Sequence, residues 1–168
     1  MVSVRRKFIP MPELTDRLLA RMDEKTVVAE SGCRAWTGGK DKDGYGHAWA
    51  AGAIMLVHRI AFFRETGVDP EESFVDHACF NPTCLNPAHL RLVTNKQNME
   101  NRSGMSKANT SGFRGATWSK ARGKWQAQVQ HNGTNKILGY FLTAAEAGAV
   151  AQVARLQIFT HNNLDRAE

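Results

Sequence analysis

Cys79 and Cys84 are separated by four residues, and His89 follows after another four. A loop with that spacing can wrap two thiolates and an imidazole around one ion. Cys33 is the only other cysteine, so a fourth ligand is available and a closed Cys3His tetrahedron can be completed. Four-coordinate thiolate sites of this kind hold zinc for structure and leave no open position for chemistry. The other reading of the same residues is three unliganded thiols, with His89 as a hydrogen-bonded core histidine. Three cysteines in a metal arrangement suit a reducing compartment better than a disulfide framework.

A second constellation overlaps the first. Phe74-Val75 leads into Asp76-His77, and Leu90-Arg91-Leu92-Val93 reads as a short partner strand, so a hairpin closed by the cysteine loop is expected. Thr94-Asn95-Lys96-Gln97 fits a capping box and opens a helix that carries Asn98 in its first turn. The expected strand-strand-helix unit offers one carboxylate, Asp76, and one amide oxygen, Asn98, both suited to Mg2+ or Mn2+, beside the imidazole of His77. An isolated Asp-His pair is ordinarily a surface or capping pair. Its joint occurrence with Asn98 and the cysteine loop argues for metal-assisted hydrolysis.

Charge divides the chain. Residues 1–100 carry thirteen Lys/Arg and thirteen Asp/Glu, so the net +6 belongs to residues 101–168, with nine basic against three acidic. Between Asn101 and Tyr140 there are seven basic residues, Arg102, Lys107, Arg114, Lys120, Arg122, Lys124 and Lys136, and no acidic ones. Interleaved with Trp118 and Trp125, they read as a polyanion site rather than a merely solubilising face. Residues 101–111 are small and polar, a linker composition that divides a domain at 1–100 from one at 112–168.

Past the linker, strands are expected at Phe113 to Trp118, Lys124 to Gln130 and Lys136 to Phe141. Asn132-Gly133 marks a type I′ hairpin, and Thr143-Ala144-Ala145-Glu146 caps a helix running to about Phe159. Alternation turns Trp125 inward and leaves Gln126, Gln128 and Gln130 on the opposite face. In the first third, Pro10 to Met22 has helical spacing, and Arg5-Arg6-Lys7 is a basic arm. Cys33 to Gly38 and Gly44 to Trp49 read as two strands around a polar turn, and Leu56 to Phe63 as a helix. Arg59 on that helix is a candidate phosphate contact, with an exposed helix charge or a buried ion pair as the alternatives. No apolar run is long enough to span a bilayer and the N-terminus lacks an apolar signal core, so a soluble intracellular protein is expected.

The segment from Asp76 to Asn98 resembles the HNH nuclease superfamily with its ββα-metal motif. It is similar to phage intron-associated homing endonucleases and, in its cysteines, to the His-Cys box enzymes. The resemblance implies that His77 is the general base, that Asp76 and Asn98 hold a divalent cation, and that Asn86 pins the loop. With no cysteine after Cys84, the second zinc site of the His-Cys box family is excluded. Gly112-Phe113-Arg114-Gly115, Gly123-Lys124-Trp125-Gln126-Ala127 and Leu138-Gly139-Tyr140-Phe141, ahead of an alanine-rich helix, resemble the AP2 DNA-binding domain over about residues 111–160. That resemblance implies a three-stranded sheet in the major groove, with Arg114, Gln126, Gln128, Gln130 and Asn135 near DNA. Lys120, Arg122, Lys124 and Lys136 complete the expected interface.

The expectation is an α+β chain, a zinc-stapled ββα-metal nuclease domain followed by a small three-stranded antiparallel sheet with a helix. It would be a site-specific endonuclease on double-stranded DNA, phage- or intron-encoded, acting in the cytoplasm of a bacterial host as a monomer or homodimer. A non-catalytic, zinc-containing DNA-binding regulator is the alternative class. An HNH restriction or packaging-associated nuclease is a third.

Overall fold

The computed structural model describes residues 9–102, 104–106 and 108–166; the Arg5-Arg6-Lys7 arm, together with Ser103 and Lys107 of the linker, lies outside the described residues. The chain forms two compact units, Met1–Asn95 and Lys96–Glu168. Among the described residues no helix is long and apolar enough to cross a membrane.

The first unit begins with helix α1 (Asp16–Glu24), later than the apolar spacing predicts. Pro10 and Pro12 keep the preceding chain extended, and Thr15 starts the helix by accepting a hydrogen bond from the Leu18 amide at 3.3 Å. Strand β1 (Thr26–Val28) pairs antiparallel with β2 (Arg34–Trp36), and β3 (His47–Ala50) with β4 (Ala53–Leu56). The expected pairing of Cys33–Gly38 with Gly44–Trp49 therefore does not form, apart from an isolated bridge between Lys40 and Gly46. The cause lies at Trp36: its indole N–H donates to the Gly39 carbonyl at 3.0 Å, folding the chain back over the ring and ending the strand. The β3–β4 hairpin is instead closed by Ala51 and Gly52, both at positive φ (48° and 75°), a two-residue turn that matches strand twist.

Helix α2 (Val57–Thr66) is the centre of this unit's core; Val57 and Ile60 are wholly buried and pack with Leu18, Met22, Trp36, Met55, Val75, Leu85 and Leu90. The hairpin of β5 (Phe74–His77) and β6 (Leu90–Val93) pairs antiparallel with Asp76 opposite Arg91 and His77 opposite Leu90. The long loop between them holds the cysteines. Helix α3 (Asn95–Glu100) follows β6 directly in the chain, as the capping pattern implies.

In the second unit, β7 (Ala116–Ser119), β8 (Lys124–His131) and β9 (Thr134–Phe141) form an antiparallel sheet in that order. Asn132 and Gly133 make the expected turn, at φ 51° and 75°. Strand β7 starts later than the apolar pattern predicts, because the Asn109 side chain accepts from the Ser111 and Gly112 amides and curls the chain into a turn. Helix α4 (Ala144–Ile158) opens with a full capping box between Thr143 and Glu146. Its alanines cover one sheet face, meeting Ala116, Ala127, Trp125, Leu138 and Phe141. Contact is so close that a Cβ on Gly115 would sit 2.6 Å from that of Ala151.

Buried polar groups close the second unit at its back. Arg155 donates to both oxygens of Asp165 (2.6 and 3.1 Å) and to the Arg114 carbonyl (2.8 Å). Glu100, 3% exposed, accepts from the Thr160 amide at 2.9 Å and the His161 amide at 3.3 Å. Burial works to raise the Glu100 pKa, but those amides and Lys96 outweigh it and hold it below the usual glutamate value of 4.5. A carboxylate held down in this way stabilises the fold above its unfolded pKa, and that contribution is lost as pH falls through the folded value. Glu100→Ala leaves the part-buried amides of Thr160 and His161 without their acceptor and is expected to cost roughly 1 kcal/mol or more at neutral pH. Denaturant titrations at pH 7 and pH 3 check this: the gap between wild type and variant should close at the lower pH, and an equal gap at both would show that the carboxylate charge is immaterial.

Candidate active site

The cysteine loop is built around a cluster. The ligand atoms of Cys33, Cys79, Cys84 and His89 all lie within 4.8 Å of one another. His89 Nδ1 is 3.5 Å from Cys84 Sγ and 3.7 Å from Cys33 Sγ. Zinc bonds of about 2.3 Å to sulfur and about 2.0 Å to nitrogen give a tetrahedral S–N edge of about 3.5 Å, so the donor set fits that ion. Local structure makes the convergence possible. Asn86 accepts from the Ala88 amide to start the turn that carries His89, and its own side-chain amide donates to the Gly32 carbonyl at 2.8 Å, tying the loop to the β1–β2 turn beside Cys33. Phe80 holds a left-handed φ of 59° between Cys79 and Asn81, a conformation a bulky residue adopts only when its surroundings enforce it. Burial pushes the Cys79 thiol up to about 12. Burial acts in the same sense on Cys33, but hydrogen bonds from Ser31, His89, Cys84 and Cys79 outweigh it and bring that thiol down to about 7. A cation in the cluster would supply the charge that three adjacent thiolates need.

His77 is 6% exposed, at the end of β5. Its Nε2 lies 3.1 Å from the Cys84 carbonyl oxygen. A carbonyl only accepts, so Nε2 carries the hydrogen and the lone pair of the neutral ring is on Nδ1. Burial lowers the His77 pKa, against the opposing pull of the Cys84 carbonyl and Asp76. Asp76, 7% exposed, accepts on Oδ2 a hydrogen bond from Nε of Arg91 (3.0 Å), its partner across the hairpin, and Arg91 Nη2 forms an ion pair with the same oxygen at 2.9 Å.

Sequence reasoning missed two neighbours of His77. The His58 ring centroid is 4.7 Å from that of His77, and the Tyr45 centroid is 5.9 Å away. His58 is 3% exposed, and burial holds its pKa well below 6.5. No local spacing links Tyr45, His58 and His77, since they meet only through the packing of α2 on the hairpin. Arg59, expected at a phosphate, donates to the Ser73 carbonyl at 2.7 Å and the Glu71 carbonyl at 2.6 Å, which braces the approach to β5.

In the second unit, Asn98 lies on α3. Lys120, Arg122, Lys124 and Lys136 are exposed, with Arg122 lying 4.4 Å over the Tyr140 ring. Gln126, Gln128, Gln130 and Asn135 lie on the sheet face away from α4. Arg114 is half-buried, stacks over Phe159 and donates to the carbonyls of Glu100 and Arg102.

Residues 55–100, which contain β5, the cysteine loop, β6 and α3, match the HNH endonuclease family. Three proteins of Escherichia phage T7 are similar to this chain. Protein 2.8 is 36% identical over 88 residues, 51% of this chain and 57% of that protein. Protein 7.7 is 41% identical over 68 residues, 40% and 52% of the two chains. Protein 3.8 is 41% identical over 73 residues, 39% and 58%. The chain spans a little over half the length of these curated relatives. No solved structure matches it significantly.

Proposed function

We propose that the chain is a site-specific endonuclease on double-stranded DNA, of the phage or intron-encoded homing kind, with zinc in the Cys3His cluster for structure and Mg2+ or Mn2+ for catalysis. The observation that carries the reading is His77: it lies within the segment that matches the HNH endonuclease family, and its Nε2 is tied to a carbonyl. A buried imidazole with one nitrogen committed in that way keeps the other as a proton acceptor.

In this reading His77 Nδ1 takes the proton from the attacking water, and the Cys84 carbonyl keeps the ring oriented as it becomes an imidazolium. Asp76 and Asn98 are the proposed oxygen ligands of the catalytic cation, a donor pair suited to a hard ion. When bound, that cation would stabilise charge on the scissile phosphate and the leaving 3′ oxygen. Arg91 holds the Asp76 carboxylate in register, and Asn86 holds the loop that supplies the Cys84 carbonyl. The second unit, with its basic surface, is the proposed AP2-like reader of the target.

The pH dependence tests the base. With its pKa lowered by burial, and with a dication nearby pushing the same way, His77 stays neutral to lower pH than an ordinary histidine. Plotted against pH, kcat/KM for cleavage of a plasmid substrate in Mg2+ should climb and pass its half-maximal point below pH 6.5, the ordinary histidine value. A half-maximal point above pH 7 would be incompatible with His77 as the group that titrates.

A further inference from the structure

The open face of the β7–β9 sheet carries an amide ladder. Register places Thr117, Gln126 and Tyr140 in one row across the three strands, Gln128 beside Ile137 in the next, and Gln130 beside Asn135 in the third. Gln126 Nε2 donates to Gln128 Oε1 at 2.9 Å, and Asn135 Nδ2 donates to the same oxygen at 2.8 Å. Gln128 Nε2 in turn donates to the Thr117 hydroxyl at 3.2 Å. Gln128 is thus a hub whose oxygen already receives two donors. Gln126 and Asn135 are each held by one N–H, which leaves each of them a second N–H and a carbonyl oxygen for a ligand. Opposite Gln128, and one row from Asn135, the same face shows Ile137, 51% exposed.

A donor and an acceptor on one planar group complement adenine, which offers N7 as acceptor and N6–H as donor in the major groove. The apolar side chain beside them complements the C5-methyl of thymine, the other half of that base pair. None of the residues that form these three rows is an arginine. The guanidinium that reaches the face, that of Arg122, is engaged on the Tyr140 ring at the edge of the first row, Lys120 and Lys124 flank the β7–β8 turn, and no acidic residue occurs between Asn101 and Tyr140. Positive margins around an uncharged amide centre suit phosphates at the sides and base edges in the middle. A ribbon such as β8–β9 has the width the major groove admits.

We propose that this face reads A·T pairs of duplex DNA in the major groove, Gln126 and Asn135 each pairing with an adenine while Gln128 fixes their orientation and Ile137 meets a thymine methyl. The proposal rests on the second unit being the DNA reader, and it names the sequence class that unit selects.

The test uses the full chain with its zinc retained and no added Mg2+, incubated with a random-sequence duplex library; the bound fraction is sequenced. Enrichment of adenine at two or more positions is expected. In the best-bound duplex, 7-deazaadenine at those positions should weaken binding roughly tenfold or more, because N7 is gone, and deoxyuridine for the partner thymine should weaken it severalfold. Gln126→Leu and Asn135→Leu should each make one adenine position indifferent to the deaza change. Because the base analogues are read by the wild-type protein, the result does not depend on how well a variant folds. Enrichment confined to G·C pairs, or full tolerance of 7-deazaadenine at every adenine, overturns the A·T assignment and leaves the reader standing. Binding with no sequence enrichment and no weakening as salt rises overturns both.

Discussion

His77→Ala is expected to lower metal-dependent DNA cleavage by roughly two to four orders of magnitude, the usual contribution of a positioned general base. The variant should still bind duplex DNA with the salt dependence of wild type, since the basic surface belongs to residues 101–168. Removing the ring also leaves the Cys84 carbonyl without its donor, at a cost of about 1–3 kcal/mol. His77→Gln, which keeps a donor in place of a base, separates the two effects. It should recover much of the lost stability and none of the cleavage. Cleavage at the wild-type rate by either variant would remove His77 from the catalytic role.

Cys84→Ser is expected to have the largest effect on stability. Its sulfur lies in the cluster, its amide donates to the Asn81 carbonyl at 3.0 Å and its side chain is wholly buried. Zinc binding contributes on the order of 10 kcal/mol in small zinc-folded peptides. Loss of one thiolate should therefore release the metal and cost the first unit at least several kcal/mol. Elemental analysis and calorimetry on the same sample read both quantities. Retention of a full equivalent of zinc, or an unchanged melting profile, would contradict a structural role for the cluster. Extraction of the catalytic cation alone should behave differently, with cutting restored on adding Mg2+ and no change in melting.

Local signals carried much of the architecture. The β5–β6 hairpin follows from two short apolar runs around the cysteine loop, and α4 from its capping box and its alanines. The Asn132-Gly133 turn follows from the requirement for positive φ at both positions. Cysteine and histidine spacing was enough to foresee the four-residue cluster, because metal ligands declare themselves by residue type. What was not legible depends on contacts distant in sequence. The strand partners of Arg34–Trp36 and His47–Ala50 were decided by the chain folding back on Trp36 and by a tight turn at Ala51, which no alternation pattern encodes. His58 read as one more helix residue until α2 packed against the hairpin. Arg59 was expected at a phosphate and Arg114 near DNA. Both spend their guanidinium groups on backbone carbonyls, and composition cannot distinguish those uses.

Cys84 faces two ways, with its sulfur among the cage atoms and its carbonyl oxygen on His77 Nε2. The same peptide that shapes the knuckle therefore chooses the imidazole tautomer. A knuckle that opened through oxidation or loss of its ion would leave His77 with neither a fixed ring nor a fixed proton. On the proposed reading, hydrolysis would thus be interlocked with the thiolate cage: a nuclease that lost its knuckle would lose its base as well.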